Sequence, residues 1–131
     1  MTLEKITELN YFGSCFYESL RMQPPVPLSS TACMSADVVA GGMSLRKGDA
    51  FNVDMYRLCN NPVEWQQPEK FNPDRFNSNS PMFLTPDGKK RNPYSFSPFL
   101  GGKRICLGKT FVETVSKLVL PTLWSNFNFS F

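Results

Sequence analysis

Ten residues, Phe99-Leu-Gly-Gly102-Lys-Arg104-Ile-Cys106-Leu-Gly108, hold the densest chemistry in the chain. Cys106 lies in a glycine-rich turn that leads straight into a helical pattern. A helix N-terminus presents partial positive charge and unpaired N–H groups, which favour a thiolate over a thiol. Lys103, Arg104 and Lys109 add cations close by. Gly102 and Gly108 permit positive φ or close approach by a flat ligand, and Phe99 can cover one side. A shielded thiolate beside an arginine suits an iron ligand whose cofactor carries carboxylates, with Arg104 pairing one of them. The competing reading makes Cys106 a small core residue at a helix start. Agreement at five fixed positions, F-x-x-G-x-R-x-C-x-G, favours the ligand.

The other cysteines, Cys15, Cys33 and Cys59, stand far apart and form no C-x-x-C pair, so neither a zinc knuckle nor a dense disulfide framework fits. Cys33 and Cys59 read as buried small residues. Histidine is absent, which excludes Cys/His zinc sites and His-dependent catalytic triads. Net charge is only +3, and the densest basic patches, Lys89-Lys90-Arg91 and Lys103-Arg104, do not make the broad face that nucleic acid requires. The chain of 131 residues, 41% hydrophobic with twelve Phe, is long enough for one domain and too apolar for a disordered segment. No stretch approaches the roughly 18 apolar residues of a membrane span, and the polar start lacks the apolar run of a signal peptide.

The elements that must position these residues follow from pattern. Helices are expected over 3–9, with Thr2 as N-cap, over 11–21 with Asn10 as cap, and over 107–124. The second helix places Phe12, Cys15, Phe16, Ser19 and Leu20 on its apolar side, and a proline cluster at Pro24, Pro25 and Pro27 stops it. The last places Phe111, Val115, Leu118 and Val119 on one face. A small antiparallel sheet is expected within 32–54, with a hairpin at Gly41-Gly42, a turn at Lys47-Gly48 and a strand over 50–53. A short helix over 54–60 follows. From Asn61 to Pro98 turn dipeptides dominate, at Asn61-Pro62, Asn72-Pro73 and Asp87-Gly88. Regularly placed aromatics there (Trp65, Phe71, Phe76, Phe83, Tyr94, Phe96 and Phe99) indicate a meander that something else holds. Phe127 to Phe131 alternate like a strand.

Three segments together resemble the cytochrome P450 superfamily. The cysteine loop matches the family's haem-binding signature in full. Glu18-Ser-Leu-Arg21, ahead of the prolines, resembles the E-x-x-R motif, and Pro73-Asp74-Arg75-Phe76 resembles P-E-R-F with Asp for Glu. Alone, the Glu18/Arg21 pair would be an ordinary i, i+3 surface bridge. The resemblance covers essentially the whole chain and implies an α+β fold: the C-terminal part of a mostly helical domain, residues 1–131, lacking the family's N-terminal two-thirds or more.

What the resemblance implies chemically is haem b ligated by the Cys106 thiolate, with Phe99, Gly102, Arg104 and Gly108 around it and Arg104 on a propionate. It implies a structural triad of Glu18, Arg21 and Arg75, and no other catalytic residue within the chain. The parent would be a monooxygenase acting on a small organic substrate, fed by a reductase or ferredoxin, commonly at the endoplasmic-reticulum membrane. Lys103 and Lys109 are placed to meet an acidic partner, or are simply solvated. Departures exist: Thr31 stands where many relatives have a propionate arginine, and Cys59-Asn60-Asn61 replaces a His-Arg-Asp run. The distal helix with its acidic-plus-threonine motif is absent. The rival readings are a truncated, inactive chain that binds no haem alone and a small haem-sensing module. A cysteine hydrolase lacks a histidine base.

Overall fold

The computed structural model describes residues 10–130, so the expected helix over 3–9 and its Thr2 cap lie outside the described residues. The architecture is α+β. Helix α1, Asn10–Met22, ends where Pro24 and Pro25 follow. Asn10, expected as its cap, is already helical. The stripe it buries is not the apolar one: Gly13, Glu18 and Arg21 are buried, while Ser19 is exposed and the aromatics are only half-buried. The carboxylate and guanidinium go inside because they satisfy one another there.

The strand region forms two separate antiparallel pairs rather than one sheet. Strand β1, Ala32–Cys33, pairs with β4, Ala50–Phe51, and β2, Val38–Ala40, pairs with β3, Met43–Leu45. The inner pair closes at Gly41 and Gly42, with φ +57° and +78°, the primed turn that matches strand twist. Asn52 and Val53 leave the ladder; Asn52 Nδ2 donates to the Ser29 carbonyl, and Ser29 Oγ accepts from the Val53 N–H. Cys33, expected to be buried, is exposed on a strand whose faces nothing covers. Helix α2, Met55–Cys59, starts at Asp54, whose side chain accepts from the Arg57 N–H.

The meander is ordered by a repeated local device. Three 3-10 turns, Pro73–Phe76, Pro81–Phe83 and Pro93–Ser95, each begin with proline after an Asn or Ser. The Asn72, Ser80 and Asn92 side chains accept from the N–H two residues on. The core gathers Trp65, 1% exposed, with Phe76, Phe96 and Tyr17, whose ring centroids stand 4.9–6.2 Å apart. Phe71 and Tyr94 are exposed and do not join it.

The last helix, α3, is Lys109–Asn126, capped by Gly108, so Leu107 precedes it. Its expected apolar face is open: Phe111 is 73% and Val119 46% exposed, with Val115 and Leu118 half-buried. Periodicity identifies a face but not what covers it. Residues 127–130, expected as a strand, carry no ladder, and Phe131 lies outside the described residues. Trp65→Ala should lower stability by about 3–5 kcal/mol, the cost of emptying a large aromatic site. Val63→Ala, at an exposed position, should stay within about 0.5 kcal/mol. Urea midpoints measure both, and equal shifts would mean that the core lies elsewhere.

Candidate functional site

Glu18, Arg21 and Arg75 meet with no exposed surface on any of the three. Helix α1 brings the first two onto one face, and the Pro73–Phe76 turn delivers the third. The Glu18 carboxylate accepts from Arg21 Nε at 2.8 Å and Nη2 at 2.9 Å, from Arg75 Nε at 3.1 Å and from the Asn72 N–H at 2.9 Å. The outer guanidinium nitrogens then turn to backbone. Arg21 reaches the carbonyls of Cys59 and Pro68, at 3.2 and 2.8 Å. Arg75 reaches those of Gln66, Gln67 and Lys70. Gln67 holds φ +45°, a strained value for a side-chain-bearing residue, with its carbonyl held by Arg75.

Several partners escaped sequence reasoning. Asn60 accepts from Arg21 Nη1 at 2.8 Å and donates back to the Arg21 carbonyl at 3.1 Å, so the residue that departs from the His-Arg-Asp run serves the network. Arg91 lies 4.3 Å over the Trp65 ring and donates to the carbonyls of Met82 and Arg75. The Gln66 amide donates to the Pro81 and Leu84 carbonyls. The signal for Arg91 was its place among turn residues between aromatics. Burial pulls the Arg75 guanidinium below its usual range, opposed by its bonds to Glu18. Burial, then the Arg75 charge, brings Arg91 down to about 10.

The cysteine loop is the open part of the molecule. The Cys106 N–H donates to the Phe99 carbonyl at 2.8 Å, closing the turn, and the Lys109 N–H donates to the Cys106 carbonyl at 3.2 Å. Cys106 therefore stands two residues before the cap of α3. The shielding expected from sequence is missing: Cys106 is exposed and Phe99 only half-buried. Gly102 has φ +59°, whereas Gly108 is right-handed at φ −81°. A Cβ on Gly108 would stand 3.8 Å from Cys106 Sγ, an ordinary contact, so a small side chain there would fit beside the sulfur. Arg104 is exposed, and its side chain makes no hydrogen bond among the described residues. Ile105, Leu107 and Phe111, close to Cys106 in sequence, are exposed apolar side chains, Leu107 fully. No three His, Cys, Asp or Glu side chains of the described residues gather as a metal site. A metal at Cys106 would take one protein ligand from them. Cys59 is buried, and burial pushes its thiol up. Thr31 exchanges hydrogen bonds with Asn52 at the surface.

Two outcomes follow from the buried charges. Glu18→Ala strands two guanidiniums without their carboxylate and should cost about 3–5 kcal/mol. Asp87→Ala, exposed, should cost under about 0.5 kcal/mol. Matching urea midpoints for the two variants would remove the scaffold role. The second outcome concerns Tyr17, whose phenol burial and a bond to Glu113 push up to about 12, against about 10 in an unfolded chain. Below pH ~10 the phenol is neutral in both states and its contribution is intact. Between about 10 and 12 the unfolded chain ionises first, so stability falls as pH rises. Arg91 has the opposite sign, because its folded form releases the proton first. Tyr17→Phe should therefore flatten the alkaline fall of the urea midpoint, and an unchanged slope would contradict the perturbed phenol.

The family model for Cytochrome P450 matches residues 1–131. The chain is 34% identical over 117 residues to "Cytochrome P450 4F6" of Rattus norvegicus, covering 89% of this chain and 20% of that protein. It is 34% identical over 120 residues to the rat "Cytochrome P450 4A10", covering 92% and 22%. Among solved structures, a mutant heme domain of cytochrome P450DA superposes with TM-score 0.85 at 27% identity, over 99% of this chain and 27% of that one. The structure titled "Retinoic acid bound cyanobacterial CYP120A1" gives 0.83 at 28%, over 95% and 28%. The chain spans about a fifth of the length of these curated relatives. Because the family model matches the whole of residues 1–131, the chain belongs to the cytochrome P450 family.

Proposed function

We propose that this chain is the haem-ligating C-terminal part of a monooxygenase, with Cys106 as the axial thiolate. The observation that carries the reading is the exposed Cys106 thiol, two residues before a helix cap, in a segment whose Ile105 and Leu107 are exposed and whose Arg104 side chain has no hydrogen-bond partner among the described residues. That donor set fits a flat apolar cofactor with an iron centre and anionic edges. When bound, haem supplies oxygen activation, so that one oxygen atom enters an organic substrate. The chain's own residues bind and orient. Cys106 offers a soft sulfur at the positive end of α3. Arg104 pairs with a propionate. Gly102 and Gly108 would let the ring approach the backbone, and Phe99 would cover the sulfur side of the loop. Glu18, Arg21 and Arg75 hold the meander that leads into the loop.

Electrons come from a reductase or ferredoxin, which the exposed Lys103 and the nearby Lys109 can meet through an acidic face. The substrate is a small organic molecule. The compartment that the family resemblance implies is the endoplasmic-reticulum membrane. No helix among the described residues is long and apolar enough to cross a membrane. These residues by themselves hold no stable haem, because the apolar surface around Cys106 stands open to water.

In a full-length protein carrying this segment, the ferrous carbon monoxide complex should show the red-shifted Soret band of thiolate ligation. Cys106→Ser should abolish that band and the activity, while single Ser replacements of Cys15, Cys33 and Cys59 retain it. Survival of the band in Cys106→Ser would end the assignment. The 131 residues alone should give no stable Soret band on titration with haem.

A further inference from the structure

We propose that Tyr17 is a positioning residue for Cys106, its ring packed on Phe96 ahead of the cysteine loop and its hydroxyl bonded to Glu113 beyond it. The inference rests on the reading of Cys106 as haem ligand.

The loop itself is weakly tethered. Between residues 98 and 112 no side chain makes a hydrogen bond among the described residues; the turn is closed by backbone bonds alone. Leu100 adds a positive φ of 62°. Where Cys106 sits is therefore decided at the two ends of the loop, and Tyr17 touches both. Its ring meets Phe96 edge-on at 5.8 Å, three residues before Phe99. Its hydroxyl donates to Glu113 Oε1 at 2.8 Å, in the second turn of α3.

Glu113 makes the one side-chain hydrogen bond that α3 sends outside itself among the described residues. Two weaker contacts extend the same seam. A Cβ on Gly13 would lie 3.9 Å from Lys117 Cε, and Phe12 meets Trp124 edge-on at 6.0 Å. Residues 13 and 17 of α1 thus face 117 and 113 of α3, an antiparallel seam at four-residue spacing.

The frame that carries Tyr17 is rigid, because its neighbour Glu18 is locked between two arginines. Sliding or tilting α3 moves the sulfur and the helix N–H groups near it together. Hydrogen bonding around a ligand sulfur sets the potential of its iron. A tie that fixes α3 therefore acts on the iron through Cys106.

The test uses the full-length, haem-loaded protein and four variants: Tyr17→Phe, Glu113→Ala, Glu113→Gln and the Tyr17→Phe/Glu113→Ala pair. Two readouts are taken: the rate at which the red-shifted carbon monoxide band decays under mild heating, and the ferric/ferrous midpoint potential. Tyr17→Phe and Glu113→Ala should each speed the decay about five-fold, the worth of one hydrogen bond near 1 kcal/mol. Both should shift the potential in the same direction. Glu113→Gln keeps an acceptor oxygen and should behave like the parent. The double variant should match the singles rather than multiply them. Parent-like decay and potential in Tyr17→Phe, a Glu113→Gln as impaired as Glu113→Ala, or a multiplicative double variant would each overturn the proposal. A parent protein with no red-shifted band would instead defeat the ligand assignment, which separates the two failures.

Discussion

A single carboxylate with no exposed surface organises the described residues. Glu18 is shared by two guanidiniums and one backbone N–H: Arg21 stands one turn on in the same helix, while Asn72 and Arg75 reach it from one proline-led turn of the meander. Burying a lone carboxylate is prohibitive, and burying it with one arginine is close to neutral at best. With two arginines the cluster has surplus positive charge and surplus N–H donors. These are absorbed by carbonyls of residues 59, 66, 67, 68 and 70. The meander is consequently irregular and still ordered: its carbonyls bond to guanidiniums, where a sheet would have bonded them to a neighbouring strand.

The same arrangement explains how much of the site was legible in sequence. Glu18, Arg21 and the cysteine loop could be read because each is a local pattern, a helix spacing or a glycine-flanked turn. The Gly41-Gly42 hairpin and the Asn-Pro turn starts were legible for the same reason. Arg91, Asn60 and Gln66 were not, because they serve backbone carbonyls that leave no periodic trace in sequence. The buried stripe of α1 was misread because a hydrophobic pattern cannot express a polar core. The open apolar side of α3 shows the converse limit: spacing gave the face and could not give its cover.

The molecule thus divides into a closed half and an open half. The closed half, around Trp65 and the arginines, is held by directional bonds within the chain, although the Trp65 indole N–H itself is buried without a partner among the described residues. The open half, from Leu100 to Phe111, offers sulfur, three cations and bare apolar surface, and makes few bonds of its own. Helix α1 links the two, holding Glu18 among the arginines while the Tyr17 hydroxyl reaches Glu113 on α3, just beyond the loop. A rigid frame supporting a sparsely bonded loop lets the loop's geometry be set by whatever it binds, within limits imposed from behind.

The asparagine turns of the meander bear on chemical ageing. Asparagine degrades when the next residue's backbone nitrogen attacks its side-chain carbonyl, forming a cyclic imide that opens to aspartate or isoaspartate. Proline has no hydrogen on that nitrogen, so Asn61, Asn72 and Asn92, each followed by proline, resist this route. Asn77 makes the same kind of turn, its side chain accepting from the Asn79 N–H, yet Ser78 follows it. In a stored sample, isoaspartate should therefore accumulate at Asn77 and at Asn79, which precedes Ser80, while the three proline-guarded turns stay intact.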